Sequence, residues 1–246
     1  SAAIFIIAIV LFVFINIVFD YFILAHLQPD FVTYEFFCKV FGSIGIESRF
    51  CTINFSTKLQ SLGLTQQLMS SIWVSLVLGI IVSFPYLLWE MWRFISPGLH
   101  KNEQKKSKGF LFIASLLFFI GVLFSYYVIV PMSVSFFYGY QISSNIINNF
   151  TLDSYISLFT NTLLGVSLMF ELPVVIYFLT KLGLVTPSFL RKYRKHSLVV
   201  VLVLSAVITP PDVASQIIVS IPILILYEIS IRVSGYVIKK QAKNAE

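Results

Sequence analysis

Glu103, Glu171, Asp212 and Gln216 stand out as polar side chains in or between long apolar runs. Glu103 lies in FISPGLHKNEQKK, from Phe94 to Lys106, a sudden run of charge between two long apolar segments. A carboxylate there can grip a guanidinium with two parallel hydrogen bonds, and Phe94, Pro97 and Gly98 would form a stiff apolar shoulder beside it. It can equally pair with Lys101 or Lys106, an exposed contact of small energetic consequence. Composition leaves both readings open.

Glu171, in FELPVV, falls inside an apolar run, where a charged side chain facing lipid costs on the order of 2.5–3.5 kcal/mol. It should therefore face protein or a wet cavity. Pro173, two residues on, is placed to break the helix and leave backbone carbonyls open. Two roles fit: the polar lining of a groove that handles substrate, or a neutral acid hydrogen-bonded between helices. Asp212, Ser215 and Gln216, spaced 0, 3 and 4, share one face of the first turns of a helix. Asp212 reads as its N-cap; Gln216 carries the polar stripe into apolar surroundings, where it can bond to another helix or subunit.

What must position these residues is a membrane bundle. With 58% hydrophobic and 11% charged residues, and a mean hydropathy of +0.90, the chain has too little polar surface for a soluble globule of 246 residues. Six apolar runs are candidates for crossing: about 2–24, 67–92, 109–131, 153–180, 197–209 and 213–231. The last two are short and meet at Thr209-Pro210-Pro211-Asp212, where proline ends a helix and forces a reversal. Trp73 and Trp92 lie 19 residues apart, about 28 Å along a helix, which suits one ring at each interface. The first run is longer than a signal-peptide core and no A-x-A site follows it, so it is expected to stay in the protein. Residues 25–66, with Pro29, Gly42, Gly45 and Gly63, form an external loop large enough for a small cap.

Basic residues set the orientation. Segments 93–108 and 181–195 and the C-terminal tail hold 14 of the 17 lysines and arginines, against three on the other side (Lys39, Arg49, Lys58). The basic side is the cytoplasmic one, and six spans put both termini there. The net charge of +6 thus marks topology and calls for no nucleic acid. Thr186-Pro187 opens a basic helix as N-cap and first residue; its cations would hold anionic lipid or simply mark the cytoplasm, the second being favoured. Cys38 and Cys51, 13 apart in the external loop, would form a disulfide if that loop meets an oxidising compartment; two free thiols are the alternative. The scattered histidines His26, His100 and His196 give no metal-binding spacing.

Three stretches in order, FPYLLWEMWRFISPGLHKNE, FELPVVIYFLTKLGLVTPSFLRKYRKH and ITPPDVASQIIVSIPILILYEISI, resemble the TatC family, the multispanning subunit of the twin-arginine protein translocase. The similarity runs from about Ile72 to Ile231, and YEFFCKVFG and LRKYRKH look most like Bacteroidetes-type versions. The resemblance implies a single all-α domain of six transmembrane helices, arranged as a concave glove in the bacterial inner membrane. It implies a receptor that binds twin-arginine signal peptides of folded cargo, recruits TatA/TatB-type single-span partners, works as a homo-oligomer and draws on the proton-motive force. Glu103 would contact the paired arginines amid the motif residues Phe94, Pro97, Gly98 and Leu99. Glu171 matches the polar position of the concave face, Thr209 and Gln216 the patch where partner helices dock, and Pro85 a proline of the second helix; Pro210, Pro211 and Asp212 shape the last turn. Family members begin with an H-L-x-E-L-R type segment that supplies a second acidic contact. The sequence starts at Ser1 on the edge of its first run, so either it is truncated or that segment is not included; as given it holds half of the expected clamp, and signal affinity is expected to be lower.

No G-x-x-x-x-G-K-[ST], H-E-x-x-H or G-x-S-x-G motif is present, which argues against an ATPase or an intramembrane hydrolase and leaves a non-enzymatic protein without cofactors. The rival is a secondary transporter of a small solute with Glu171 at a midplane site, a class that often shows two related halves. No internal repeat is visible here.

Overall fold

In the computed structural model, residues 2–28, 30–43, 59–95, 107–143, 149–208 and 213–245 are described. Their only β feature is one parallel bridge between Gln60 and Thr151, where Gln60 N donates to Phe150 O and Leu152 N to Gln60 O, both at 2.9 Å. Everything else is helix, turn or loop.

The first segment is α1 (Ala2–Val13) and α2 (Ile15–Val18), followed by a π-helical turn, Phe19–Ile23, and a 3-10 turn, Leu24–Leu27. Then come α3 (Val32–Ser43), α4 (Gln66–Ile95), α5 (Ser107–Phe124), a second π turn at Ser125–Ile129, and α6 (Val130–Gly139). The chain continues through α7 (Leu152–Met169), α8 (Leu172–Lys181), α9 (Pro187–Lys192), α10 (Arg194–Ile208) and α11 (Val213–Ala245). Four stretches are long and apolar enough to cross a bilayer: Gln66–Arg93, Leu111–Gly139, Leu152–Lys181 and Gln216–Lys240. The pair Ala3–Val13 and Ile15–Lys39, bent by 82°, makes a fifth if taken as one span.

Two expectations need correction. The run 2–24 is not one straight helix, because the chain turns sharply after Val13 and tightens through π and 3-10 turns. The last helix is not short: it continues through 33 residues to Ala245, since no proline follows the apolar run and the stretch Lys239–Lys243 is built of good helix formers. The helix before it is short as expected, its 15 residues rising about 22 Å. Pro85 and Pro222 lie inside helices without ending them.

In lipid the helices gain nothing by hiding apolar side chains from one another, so close backbone approach and small polar contacts hold them together. α1 lies on α4 where Gly79 meets Ala8; a Cβ on that glycine would sit 3.1 Å from the alanine's. α8 lies on α11 with Thr180 Oγ1 donating to Ser234 Oγ at 2.8 Å. α11 divides its faces accordingly: Val219, Ile223 and Tyr227 are buried, while Ile217, Ile221 and Ile225 are exposed at four-residue spacing. The largest core, around Val77, Phe118, Phe159 and Leu163, lies where α4, α5 and α7 meet the end of the first segment.

Candidate functional site

The break between α7 and α8 places the one buried carboxylate seen inside a span among the described residues. α7 is capped by Thr151, whose Oγ1 accepts from Ser154 N, and it ends at Phe170. Glu171 N donates to Leu168 O at 3.1 Å, and Glu171 O then accepts from Val174 N at 2.9 Å and Val175 N at 3.0 Å, starting α8. Pro173 sits in the first turn of α8, where its missing N–H costs no helical bond. The helix is thus interrupted where ELP predicts it, and the glutamate side chain leaves the break inward.

That side chain is only 7% exposed, and neither carboxyl oxygen has a hydrogen-bond partner. Among the described residues, no hydrogen bond ties the acid to a neighbouring helix. Its position is set by contact on the other side. A Cβ on Gly121 of α5 would lie 2.8 Å from Ser167 Cα and 3.0 Å from Phe170 Cβ, so only glycine lets α5 approach the end of α7 this closely. Phe124 stands one turn further on, its ring centroid 5.7 Å from that of Phe170.

Gln216 is half-buried, and its Nε2 donates to Leu202 O at 3.0 Å, joining α11 to α10. It does cross to another helix, but one of the same chain. Thr209, Pro210, Pro211 and Asp212, expected around it, lie outside the described residues, as do Pro97, Gly98, Leu99 and Glu103. Of the Phe94 loop motif, the helical backbone at Phe94 is described, near the end of α4. Two residues earlier, buried Trp92 packs against Phe178 of α8 at 5.4 Å, so the end of α4 rests on the helix that Glu171 precedes. Cys38 is disulfide-bonded; Cys51 lies outside the described residues.

A second cluster has no counterpart among the expected site residues. The two π turns meet face to face, with Phe22 and Tyr126 stacked at 4.4 Å. Carbonyls released by this irregular backbone are met by side chains: Tyr126 Oη donates to Phe22 O, Tyr155 Oη to Ile23 O, and Tyr34 Oη to His26 O. Fully buried His26 places Nε2 2.9 Å from Tyr126 O and Nδ1 3.2 Å from Ile23 O. The paired tyrosines Tyr126-Tyr127 at one end of an apolar run were the available sequence signal, but nothing local links them to His26, a hundred residues earlier.

Residues 1–222 match the family described as Sec-independent protein translocase protein (TatC). The chain belongs to the TatC family. This TatC chain is 40% identical, over 228 residues, to the Sec-independent protein translocase protein TatC of Blattabacterium sp. subsp. Periplaneta americana (strain BPLAN), covering 92% of itself and 85% of that protein. It is 41% identical over 169 residues to the TatC of Helicobacter pylori (strain ATCC 700392 / 26695), covering 69% of itself and 66% of that protein. A crystal structure of the twin arginine translocase receptor TatC superposes with a TM-score of 0.63 at 30% identity, over 95% of this TatC chain and 96% of the other. The Blattabacterium relative agrees with the Bacteroidetes-type character of LRKYRKH and YEFFCKVFG.

Proposed function

We propose that this chain is the receptor subunit of a twin-arginine translocase, binding paired-arginine signals of folded cargo and recruiting TatA/TatB-type single-span partners for export on the proton-motive force. One observation carries the reading: the family match over 1–222, joined to a receptor of the same fold at 30% identity. It favours a translocase over a solute carrier. On this reading residues 1–246 are one six-span unit of the bacterial inner membrane, with α10 as the short fifth span, both termini cytoplasmic, and further copies in the working complex.

Within that unit Glu103 takes the signal's guanidinium in a bidentate pair, flanked by Phe94, Pro97, Gly98 and Leu99. The Trp92–Phe178 contact supports this by tying the loop's root to α8. Glu171, buried with both oxygens unsatisfied, lines the groove as an acceptor for a donor from outside the chain, such as a polar side chain of a partner helix. Thr209 and Gln216 form the docking patch at the α10–α11 reversal. The work is done by binding: no covalent step is required of any residue.

Charge substitution at position 103 tests the assignment. Glu103→Ala is expected to weaken binding of an arginine-pair peptide by about tenfold or more, the scale of a lost charged hydrogen bond. Glu103→Lys, which adds repulsion, should weaken it further. Unchanged binding in both variants would remove Glu103 from the signal site.

A further inference from the structure

The connection from α8 to α10 exposes two kinds of side chain side by side. α8 closes through Gly183, at φ +75° in the left-handed region that favours glycine, and leaves Leu182 67% and Leu184 70% exposed. Phe189 and Tyr193 are exposed too, with rings 4.6 Å apart. α9 cannot turn these inward. Thr186 caps it by accepting from Phe189 N at 3.2 Å, and Leu190 is buried with Tyr227 and Ile231, Tyr227 Oη donating to its carbonyl at 2.9 Å.

Interleaved with the exposed apolar groups are Arg191, Lys192 and Lys195, all exposed. Arg194 Nη2 donates to Glu228 Oε2 at 2.9 Å, which draws the α9–α10 junction onto α11. Arg232, also exposed, lies one turn beyond Glu228 on the same side of α11. Among the described residues, Arg194–Glu228 is the ion pair at this corner, and Arg191, Lys192, Lys195 and Arg232 have no acidic partner.

We infer that this corner is a seat for the phosphate of an anionic phospholipid, with Arg191, Lys192, Lys195 and Arg232 around the phosphate and Leu182, Leu184, Phe189 and Tyr193 at the acyl boundary. Orientation in the membrane depends on the number of basic residues near a span, not on their convergence beside exposed leucines and aromatics. A soluble acidic protein or free phosphate would satisfy the cations and leave the leucines in water. A lipid satisfies both, because its headgroup and chains meet at the depth where basic and apolar side chains alternate.

The test uses the whole chain, purified and offered equal amounts of phosphatidylglycerol and phosphatidylcholine, with retained lipid read by native mass spectrometry. It involves neither signal peptide nor partner protein, so it stands apart from the receptor reading. Phosphatidylglycerol should be retained about tenfold over phosphatidylcholine, given the attraction each surface cation adds. R191Q/K192Q/K195Q/R232Q should abolish the preference while leaving Arg194–Glu228 intact. R232Q alone should reduce it severalfold, and this milder variant decides the matter if the fourfold change disturbs folding. K239Q/K240Q, about two turns further along α11, should keep it. The inference is overturned by equal retention of the two lipids, by an R232Q variant that keeps full preference, or by a K239Q/K240Q variant that loses it. Displacement of the lipid by inorganic phosphate or an acidic peptide at equal concentration would overturn it too.

Discussion

Gly121 of α5 lies beneath Ser167 of α7 so closely that a methyl group added to it would reach 2.8 Å from the serine's Cα. The obstacle is backbone, which cannot swing aside as a flexible side chain can. Through Ser167 and Phe170, this crossing locates the break from which Glu171 enters the protein.

Gly121→Ala should therefore destabilise the chain by about 1–3 kcal/mol, the range for inserting bulk into a packed contact. Thermal unfolding in detergent would show it. Gly109, whose added Cβ would meet nothing within 4 Å, is the control: Gly109→Ala should leave the fold unharmed.

Glu171→Leu should behave in the opposite way. The carboxyl it removes is buried and unsatisfied within the chain, and such groups carry a penalty of about 1–3 kcal/mol. Stability of the isolated subunit should hold or rise while export falls. A marked loss of stability, with export unaffected, would place the acid in structural duty.

His26→Phe keeps the volume of a fully buried ring but leaves the carbonyls of Ile23 and Tyr126 without it. Ile23 O keeps Tyr155 Oη as a donor, so the expected loss, about 1–3 kcal/mol, falls on the Tyr126 carbonyl. Tyr155→Phe, which removes a donor to the same Ile23 carbonyl, should be more than additive with it, because that carbonyl loses its last side-chain donor only when both are gone. A double-mutant cycle in detergent measures this.

Arg194 and Glu228 are each about half exposed, so their pairing should contribute little, with a coupling of about 0.2–1 kcal/mol between Arg194→Gln and Glu228→Gln. Its value lies in aligning α9 and α10 with α11.

These contacts differ in how far the sequence announces them. The apolar runs are legible because a bilayer demands them, and the interruption at Glu171 is legible because Pro173 is local. The bend after Val13 is not: residues 2–25 contain neither proline nor glycine, and what receives the irregular turns is Tyr126 and Tyr155 from distant points in the chain. Arg194 and Glu228 lie 34 residues apart and Gly121 and Ser167 lie 46 apart, separations with no periodic signature. The length of α11 was hidden for the reverse reason, since hydropathy stops at the membrane edge and helix propensity does not.

The central claim, that Glu103 meets the arginine pair of an export signal, is tested most directly by a photoreactive amino acid at position 103 in membrane-embedded protein. The account predicts a crosslink to a twin-arginine peptide that disappears when its arginines become lysines. Capture of both peptides alike, or of neither, would contradict it.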